Sequence, residues 1–181
     1  MNDQSDELVL QIVVCAAGVA ADVGRLITAA QERHWDVAVI TTPDGLGFLD
    51  VEAIETQTGR PVRSAWRAPG EPRPTRPADA IAVAPATFNT VNKWAAGISD
   101  NLALGILCEA PAMGVPVAVL PYLNSAQAAH PAYRQSLDRL REMGVLVGSY
   151  EPHLPKAGGG ADRYRWEEVL ELLAPRVSAR S

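Results

Sequence analysis

Apolar and polar residues are arranged along this chain in two alternating kinds of segment. Six short runs are rich in β-branched and small apolar residues, which indicates strands buried on both faces. The runs are LVLQIVVCAA, WDVAVITT, PVRSAW, ADAIAVAP, VPVAVLP and GVLVGSY. Segments with apolar residues at helical spacing separate most of them. The alternation predicts an α/β fold, in which a three-layer, Rossmann-like parallel sheet of about six strands carries helices on both faces.

Five segments have the apolar spacing of helices. They cover residues 18–34, 43–59 after a turn, 87–113, 125–143 and 163–173. The chain shows no internal repeat and no change of composition that would mark a second domain, so we expect one domain over residues 1–181. Residues 1–7 and 176–181 lie outside the periodic segments, and we expect them to be disordered.

Charge and composition exclude several classes of protein. The net charge of −5 argues against a broad nucleic-acid surface. Cys15 and Cys108 lie in apolar segments, as in reduced intracellular proteins. The sequence has no cluster of cysteine and histidine residues of the kind that binds a metal ion. The longest nearly apolar run, residues 9–21, is too short to span a bilayer, and the acidic start MNDQSDE is unlike a signal peptide. We expect a soluble cytoplasmic protein that binds no metal, nucleic acid or membrane.

Small and hydroxyl-bearing residues follow the first two strands. In AAGVAAD, Ala17 and Gly18 permit close approach of another group, and the helix that follows offers free N–H groups to an anion such as a phosphate. Tight packing of the turn explains the same residues. In TTPDG, Thr42 can donate its hydroxyl to an anion, or it can cap the next helix. Both interpretations stay open at each turn.

Polar residues also follow the fourth and fifth predicted strands. The stretch PATFNT supplies Thr87, Asn89 and Thr90, which suit hydrogen bonds to a planar polar ligand. Helix capping is the alternative, although one cap needs fewer polar side chains. The stretch PYLNSAQAAHP places Asn124 at the next strand exit, either as a ligand contact or as a turn residue. Ligands of such sheets bind beyond the carboxyl ends of the strands, where these turns lie.

These stretches carry a resemblance to a known family, the flavin-containing cysteine decarboxylases. PATFNT and the following NKWAAGISDNLA resemble that family's Pro-Ala-Ser-Ala-Asn-Thr motif and its later Gly-Ile-x-Asp-Asn-Leu. PYLNSAQAAHP resembles Pro-x-Met-Asn-x-x-Met-Trp followed by His-Pro, without the Met and the Trp. The first two turns resemble the family's Gly-Ser-Ile-Ala-Ala and Ser/Thr-Pro turns loosely. The resemblance spans roughly residues 9–148, and the family includes phosphopantothenoylcysteine decarboxylase and the peptidyl-cysteine decarboxylases of lantibiotic biosynthesis.

The resemblance implies a flavodoxin-like fold that binds FMN. The residues implied to bind FMN are Gly18, Val19 and Thr42 near the phosphate, and Thr87, Asn89 and Thr90 near the ring. Asn124 would lie near the substrate, and Asp100 and Asn101 would fix the loop or help to build a subunit contact. We therefore expect an FMN-binding flavoprotein that acts on a small or peptidyl substrate, by lyase-type decarboxylation or by related redox chemistry.

The chain departs from the family at its catalytic residues. The family's catalytic histidine precedes the strand that leads into the first motif, where this chain reads RAPGEPRPTRPADA and has Glu71 near that position. The catalytic residues are therefore unassigned, with Asn124, Glu71 and His153 as candidates. His153 lies beside PKAGGG, which is either a mobile substrate flap or a disordered connector. The late cysteine of the coenzyme A branch is also absent, so we expect little or no oxidative decarboxylation of phosphopantothenoylcysteine.

Three other functions stay open. The chain can be an oxidoreductase that uses the flavin for other chemistry, a non-catalytic flavin-binding regulatory or interaction protein, or a flavin prenyltransferase-like enzyme. An arginine-rich loop either attracts an anionic substrate or an acidic partner, or is simply solvated. Its members are Arg60, Arg63, Arg67, Arg73 and Arg76.

Assembly is predicted from the segment 87–113. Its apolar residues cover more than the single stripe of a helix that lies on a sheet, which indicates a second buried face. Those residues are Val91, Trp94, Ile98, Leu102, Leu104, Ile106 and Leu107. Members of the resembled family form trimers, some of them assembled into dodecamers, with flavin near the subunit contact. We expect a homotrimer or a multiple of three.

Overall fold

The computed structural model describes residues 7–72, 76–157 and 159–178. Five parallel strands form one sheet in the order β2-β1-β3-β4-β5. The strands are β1 (Val9–Val14), β2 (Asp36–Thr41), β3 (Ala80–Ala86), β4 (Val117–Pro121) and β5 (Leu146–Val147). The order reverses between β1 and β3, which makes a crevice at their carboxyl ends.

Seven α-helices are found in the described ranges. They are α1 (Gly24–Gln31), α2 (Val51–Thr58), α3 (Phe88–Ala95), α4 (Leu102–Glu109), α5 (Ser125–Ala128), α6 (Pro131–Glu142) and α7 (Glu168–Ser178). Short 3-10 helices cover Ala20–Asp22, Pro43–Phe48 and Ala161–Arg163. Helices α1, α2 and α7 contribute to the core on one face of the sheet, and α3, α4 and α6 to the core on the other. The predicted α/β fold is confirmed.

Alternate side chains along β1 and the residue after it pack in the two hydrophobic cores, one on each face of the sheet. Leu10, Ile12 and Val14 belong to one cluster of buried side chains, and Val13 and Cys15 belong to the other. A strand that is covered on both faces needs apolar residues at every position, which explains the nearly unbroken apolar run of this segment. No helix within the described residues combines the length and the apolar character needed to cross a membrane.

One predicted strand is absent. The segment PVRSAW does not extend the sheet, because its contact with β2 is a single bridge between Ile40 and Arg63. Beyond that bridge the chain is exposed, and it continues through a turn that contains Gly70. The sheet therefore has five strands, rather than about six.

Two predicted helices are each divided into two. Within 87–113, the chain turns at Gly97, whose φ of 75° favours glycine, and α4 then begins after Asn101. Within 125–143, the break falls at His130, before Pro131 opens α6 at a position where its missing N–H costs nothing. Helical spacing continues across both breaks, so periodicity alone did not reveal them.

The C-terminal tail is shorter than predicted. Residues 176–178 continue α7, and the side chain of Val177 is only 3% exposed against the core. Burial of this side chain holds the end of the helix on the sheet. Residues 1–6 and 179–181 lie outside the described residues.

Candidate functional site

A cleft of about 560 Å³ opens at the carboxyl edge of the sheet. This volume lies in the usual range for sites that bind small molecules or cofactors. Loops that follow the first four strands form its walls. The lining residues are Ala16, Ala17, Gly18, Thr42, Pro43, Asp44, Thr87, Phe88, Asn89, Thr90, Lys93, Asp100, Asn101, Leu104, Tyr122, Leu123, Gln127 and His153.

The turn after β1 presents backbone donors to this cleft. Ala20 N–H donates to the carbonyl oxygen of Ala17 over 2.9 Å, but the N–H groups of Gly18 and Val19 have no acceptor among the described backbone groups. Val19, also predicted to bind the cofactor, does not line the cleft: its side chain is buried in the core, and only its backbone N–H is left unpaired beside Gly18. The turn leads into a 3-10 helix and not directly into α1. Two adjacent unpaired N–H groups are suited to an anion.

The turn after β2 holds Thr42 in place through its backbone. Thr42 N–H donates to the carbonyl oxygen of Val14 over 3.0 Å, and Gly45 N–H donates to the carbonyl oxygen of Thr42 over 2.9 Å. The Thr42 side chain makes no capping hydrogen bond to the 3-10 helix that follows. Capping therefore does not explain this threonine, and its hydroxyl remains available at the cleft.

Capping does explain part of the polar stretch after β3. Thr87 is the N-cap of α3: its Oγ1 accepts from Thr90 N–H over 3.3 Å and lies 3.2 Å from Thr90 Oγ1. Asn89 is exposed, lines the cleft, and has no hydrogen-bond partner for its amide among the described residues. Since the cap is complete without Asn89, this side chain is the surplus polar group of the stretch.

A buried thiol lies beneath this stretch. Cys15, the residue after β1, is fully buried, and burial raises the pKa of its thiol, while hydrogen bonds with Thr90 and Thr87 lower that pKa to a smaller extent. The thiol therefore stays protonated at neutral pH. It belongs to the floor under the cleft and does not line the cleft itself.

Asp100 and Asn101 fix the loop between α3 and α4. Asp100 forms an ion pair with Lys93, and Asn101 caps α4 by accepting from Leu104 N–H over 3.0 Å. Both lie on the cleft wall. Of the two roles expected for these residues, fixing the loop and building a subunit contact, the contacts within this chain correspond to the first.

Asn124 has a structural partner and lies beside the cleft. Its Oδ1 accepts from Gln127 N–H over 3.0 Å, and the Gln127 side chain accepts in return from Asn124 N–H over 3.5 Å, so the pair forms a capping box on α5. Gln127 lines the cleft and Asn124 does not. The turn interpretation thus accounts for the Asn124 carboxamide oxygen.

The other two catalytic candidates are placed differently from each other. His153 lines the cleft, and its Nδ1 lies 2.9 Å from the Tyr150 hydroxyl. Glu71 lies outside the cleft of its own chain, in a turn where its Oε2 accepts from Ala68 N–H over 2.9 Å and its carbonyl oxygen accepts from Arg67. Sequence reasoning missed Tyr122, which follows β4 directly and lines the cleft.

The arginine-rich loop borders a separate groove of about 330 Å³. Arg63, Arg67 and Arg76 line it, together with Trp66, whose ring lies on Gly105 of α4. Burial and the nearby Arg67 lower the pKa of the Arg63 guanidinium, with a smaller opposing effect of Glu71. Arg60 instead pairs with Asp36, and Arg73 lies outside the described residues.

A five-stranded parallel sheet in this order, with its cleft at the switch point, defines a flavodoxin-like cofactor-binding domain. Within the ranges described, no group of three His, Cys, Asp or Glu side chains is placed to hold a metal ion. The chain belongs to the Flavoprotein family, whose sequence model matches residues 2–178.

Curated relatives are longer than this chain. The coenzyme A biosynthesis bifunctional protein CoaBC of Mycobacterium tuberculosis H37Rv is 33% identical over 180 residues, which cover 93% of this chain and 41% of that protein. The chain therefore spans less than half the length of this relative.

Solved structures match nearly the whole chain. The FMN-dependent cysteine decarboxylase TvaF from thioviridamide biosynthesis is 29% identical with a TM-score of 0.70, and the match covers 93% of this chain and 99% of TvaF. The peptidyl-cysteine decarboxylase EpiD has a TM-score of 0.73 over 93% of this chain and 99% of EpiD; at 20% identity it supports the fold alone.

Proposed function

We propose that this chain binds FMN in the cleft and uses it for oxidative decarboxylation of a cysteine at the end of a small or peptidyl substrate. The observation that carries the proposal is the set of unpaired polar groups that follow β1 and β3 at the cleft. Gly18, whose N–H has no backbone acceptor among the described residues, and Asn89, whose amide has no partner there, both line the cleft, and the unpaired N–H of Val19 follows that of Gly18. Membership of the Flavoprotein family and the similarity to TvaF support the choice of cofactor and reaction.

The two ends of FMN require different protein groups. A phosphate accepts hydrogen bonds and is anionic, so the N–H groups of Gly18 and Val19 and the hydroxyl of Thr42 are suited to hold it. The polar edge of the ring both donates and accepts, as the Asn89 carboxamide does. Because Thr87 and Thr90 bond to each other, they contribute to the shape of this wall more than to new hydrogen bonds.

When bound, FMN would supply a two-electron acceptor for the conversion of a terminal cysteine to an enethiol and CO₂. The chain's own residues bind and orient the two reactants and exclude water from the hydride-transfer path. Tyr122, Leu123 and Leu104 give the cleft an apolar side for this purpose.

We also propose that the protein is a homotrimer or a multiple of three. Trp66, Ile98 and Met113 are 58%, 43% and 65% exposed, which is high for large apolar side chains. A second copy of the chain would cover them. Most of the apolar residues that suggested this contact are buried inside the chain, however. The chain turns between α3 and α4, and the two helices bury these side chains within the subunit: Val91, Trp94, Leu102, Leu104 and Leu107.

The proposal is tested on the purified protein by its absorption spectrum and by mass analysis of the cofactor released on denaturation. We expect a yellow protein that releases FMN and no FAD, since the turns after β1 and β2 offer groups suited to one phosphate. Peptides ending in cysteine and phosphopantothenoylcysteine are then assayed for CO₂. A colourless protein that takes up no added FMN would contradict the proposal.

A further inference from the structure

The chain that follows β5 returns to the cleft at His153. Its backbone makes a parallel bridge with Asn124: His153 N–H donates to the carbonyl oxygen of Leu123 over 3.3 Å, and Ser125 N–H donates to the carbonyl oxygen of His153 over 2.8 Å. This bridge continues the parallel pairing beyond the end of β4. The backbone of His153 is therefore hydrogen-bonded to the segment that follows β4, and its side chain lies on the cleft wall.

Two tyrosines hold the imidazole ring. The Tyr150 hydroxyl lies 2.9 Å from Nδ1, and the Tyr122 ring centroid lies 4.8 Å from that of His153. Tyr122 also donates its hydroxyl to the carbonyl oxygen of Gly159 over 2.6 Å, which ties down the far end of the same loop. With Nδ1 engaged, Nε2 is the nitrogen without a protein partner in the described part of the chain.

We propose that His153 is the proton-transfer residue of this cleft and that Tyr150 positions it. The inference rests on the proposed function, because it assigns the base that the cysteine substrate requires. The other two histidines are differently placed: His34 is exposed at the end of α1, and His130 caps α6 by accepting from Ala132 N–H. Neither lines the cleft.

The chemistry uses the ability of the Tyr150 hydroxyl to accept a hydrogen bond. When it accepts from Nδ1–H, Nε2 carries a lone pair. Nε2 then takes the proton of the substrate thiol, and the electron pair of the S–H bond stays on sulfur as a thiolate. Bound FMN would take up the two electrons that the substrate loses, and once the carboxylate has left as CO₂, the same proton would return from Nε2 to sulfur and complete the enethiol. His153 ends unchanged.

The experiment compares four proteins: the parent, His153→Ala, Tyr150→Phe and His34→Asn. His34→Asn is the matched control, because it removes an imidazole far from the cleft and asparagine tolerates the φ of 58° at that position. FMN affinity, melting temperature and turnover of a peptide ending in cysteine are measured for each. Turnover of His153→Ala is also measured with added imidazole.

We expect His153→Ala to lose turnover by about a hundredfold or more, as for removal of a general base, with FMN affinity and melting temperature near those of the parent. Imidazole should restore part of the loss, which a structural role would not allow. Tyr150→Phe should lower turnover less, and His34→Asn should match the parent. Parental turnover in His153→Ala would overturn the inference and leave the proposed function standing.

A readout without turnover uses carbethoxylation of the histidines by diethyl pyrocarbonate, followed by mass spectrometry. In the FMN-loaded parent, His153 should react at Nε2, and a peptide ending in serine in place of cysteine should slow this reaction but not that of His34. Absence of protection would overturn the inference, even if His153→Ala proved too unstable to assay. Failure of the parent to take up FMN would instead refute the proposed function, and the role of His153 with it.

Discussion

Thr87 and Asn89 show how two polar residues of one short stretch come to have different roles. Thr87 completes the N-cap of α3, and its Oγ1 is satisfied by the Thr90 N–H. Asn89, two residues later, faces the cleft, and its amide has no partner among the described residues. A cap stabilises the fold whether or not a ligand is present, whereas an unpaired amide contributes when a ligand binds.

This difference gives a prediction for paired variants. Asn89→Ala should weaken FMN binding by about 1–3 kcal/mol, because the cofactor group that it would meet is left unpaired. The unfolding free energy of its apo form should stay close to that of the parent. Thr87→Ala should lower the unfolding free energy of the apo form by about 1 kcal/mol through loss of the cap. Flavin fluorescence titration and urea unfolding measure the two quantities, and equal stability losses in both variants would contradict the assignment.

Tyr133 gives a prediction about pH. Burial raises the pKa of this phenol to about 12, against an ordinary value of 10.0, with a smaller opposing effect of Arg141. Below about pH 10 both the folded and the unfolded state hold the proton, so the stabilising effect is complete there. Between pH 10 and 12 the unfolded state loses the proton first, and the unfolding free energy should fall as the pH rises.

Tyr133→Phe removes this titration while keeping the ring that stacks on Phe88 at 6.0 Å. The slope of unfolding free energy against pH above pH 10 should therefore be shallower in the variant. Urea unfolding at a series of alkaline pH values measures that slope. An unchanged slope would show that the Tyr133 phenol titrates alike in the folded and unfolded states.

At the scale of the elements, the turn after β2 is tightly packed around Gly45. A Cβ added to Gly45 would lie 2.1 Å from Thr41 Oγ1 and 3.2 Å from the carbonyl oxygen of Val14. Thr41 cannot move aside, because it is fully buried and its hydroxyl is 3.1 Å from the carbonyl oxygens of both Val14 and Thr42. The turn that presents Thr42 to the cleft therefore requires glycine at position 45.

Gly45→Ala should lower the unfolding free energy by about 1–3 kcal/mol through overpacking, and it should weaken FMN binding because Thr42 is displaced. Gly47→Ala is the control in the same 3-10 helix, since a Cβ there meets nothing within 4 Å. That change should be neutral or slightly stabilising. Thermal unfolding and FMN titration of both variants are the measurements; similar behaviour of the two would show that the turn can relax.

At the scale of the whole molecule, the proposed assembly depends on Ile98 and not on Trp94. The Trp94 side chain is 1% exposed, and its Nε1 donates to the carbonyl oxygen of Leu107 over 2.9 Å, so it belongs to the core between α3 and α4. Ile98 is 43% exposed on the loop between these helices. A charge at Ile98 would meet a partner subunit, whereas a charge at Trp94 would disrupt a single chain.

We therefore expect Ile98→Asp to give a folded protein of lower mass in light scattering, with weaker FMN binding if the flavin lies near the subunit contact. Trp94→Asp should fail to fold, as expected when a charge replaces a core aromatic residue. An Ile98→Asp protein with the same mass as the parent would place the contact elsewhere, and a flavin-bound monomeric parent would refute the trimer.

The sequence alone was sufficient for the layers, for four of the strand exits and for the choice of several cleft residues. Apolar runs and helical spacing report burial, which is set locally by which side chains avoid water, and carboxyl ends of parallel strands share one edge in any such sheet. Gly18, Thr42, Thr87, Asn89 and Thr90 were therefore placed together before the structure was known. Their roles toward a cofactor stay predictions.

Only the tertiary structure decided which polar groups are already satisfied. Thr87 and Asn124 are occupied as helix caps, Asn89 is not, and Tyr150 lies close to Nδ1 of His153. The break at Gly97 and the burial of Trp94 likewise appeared only in the folded chain. The physical reason is common to these cases. A hydrogen bond or a packed contact depends on where the second group lies, and that group is placed by the path of the whole chain.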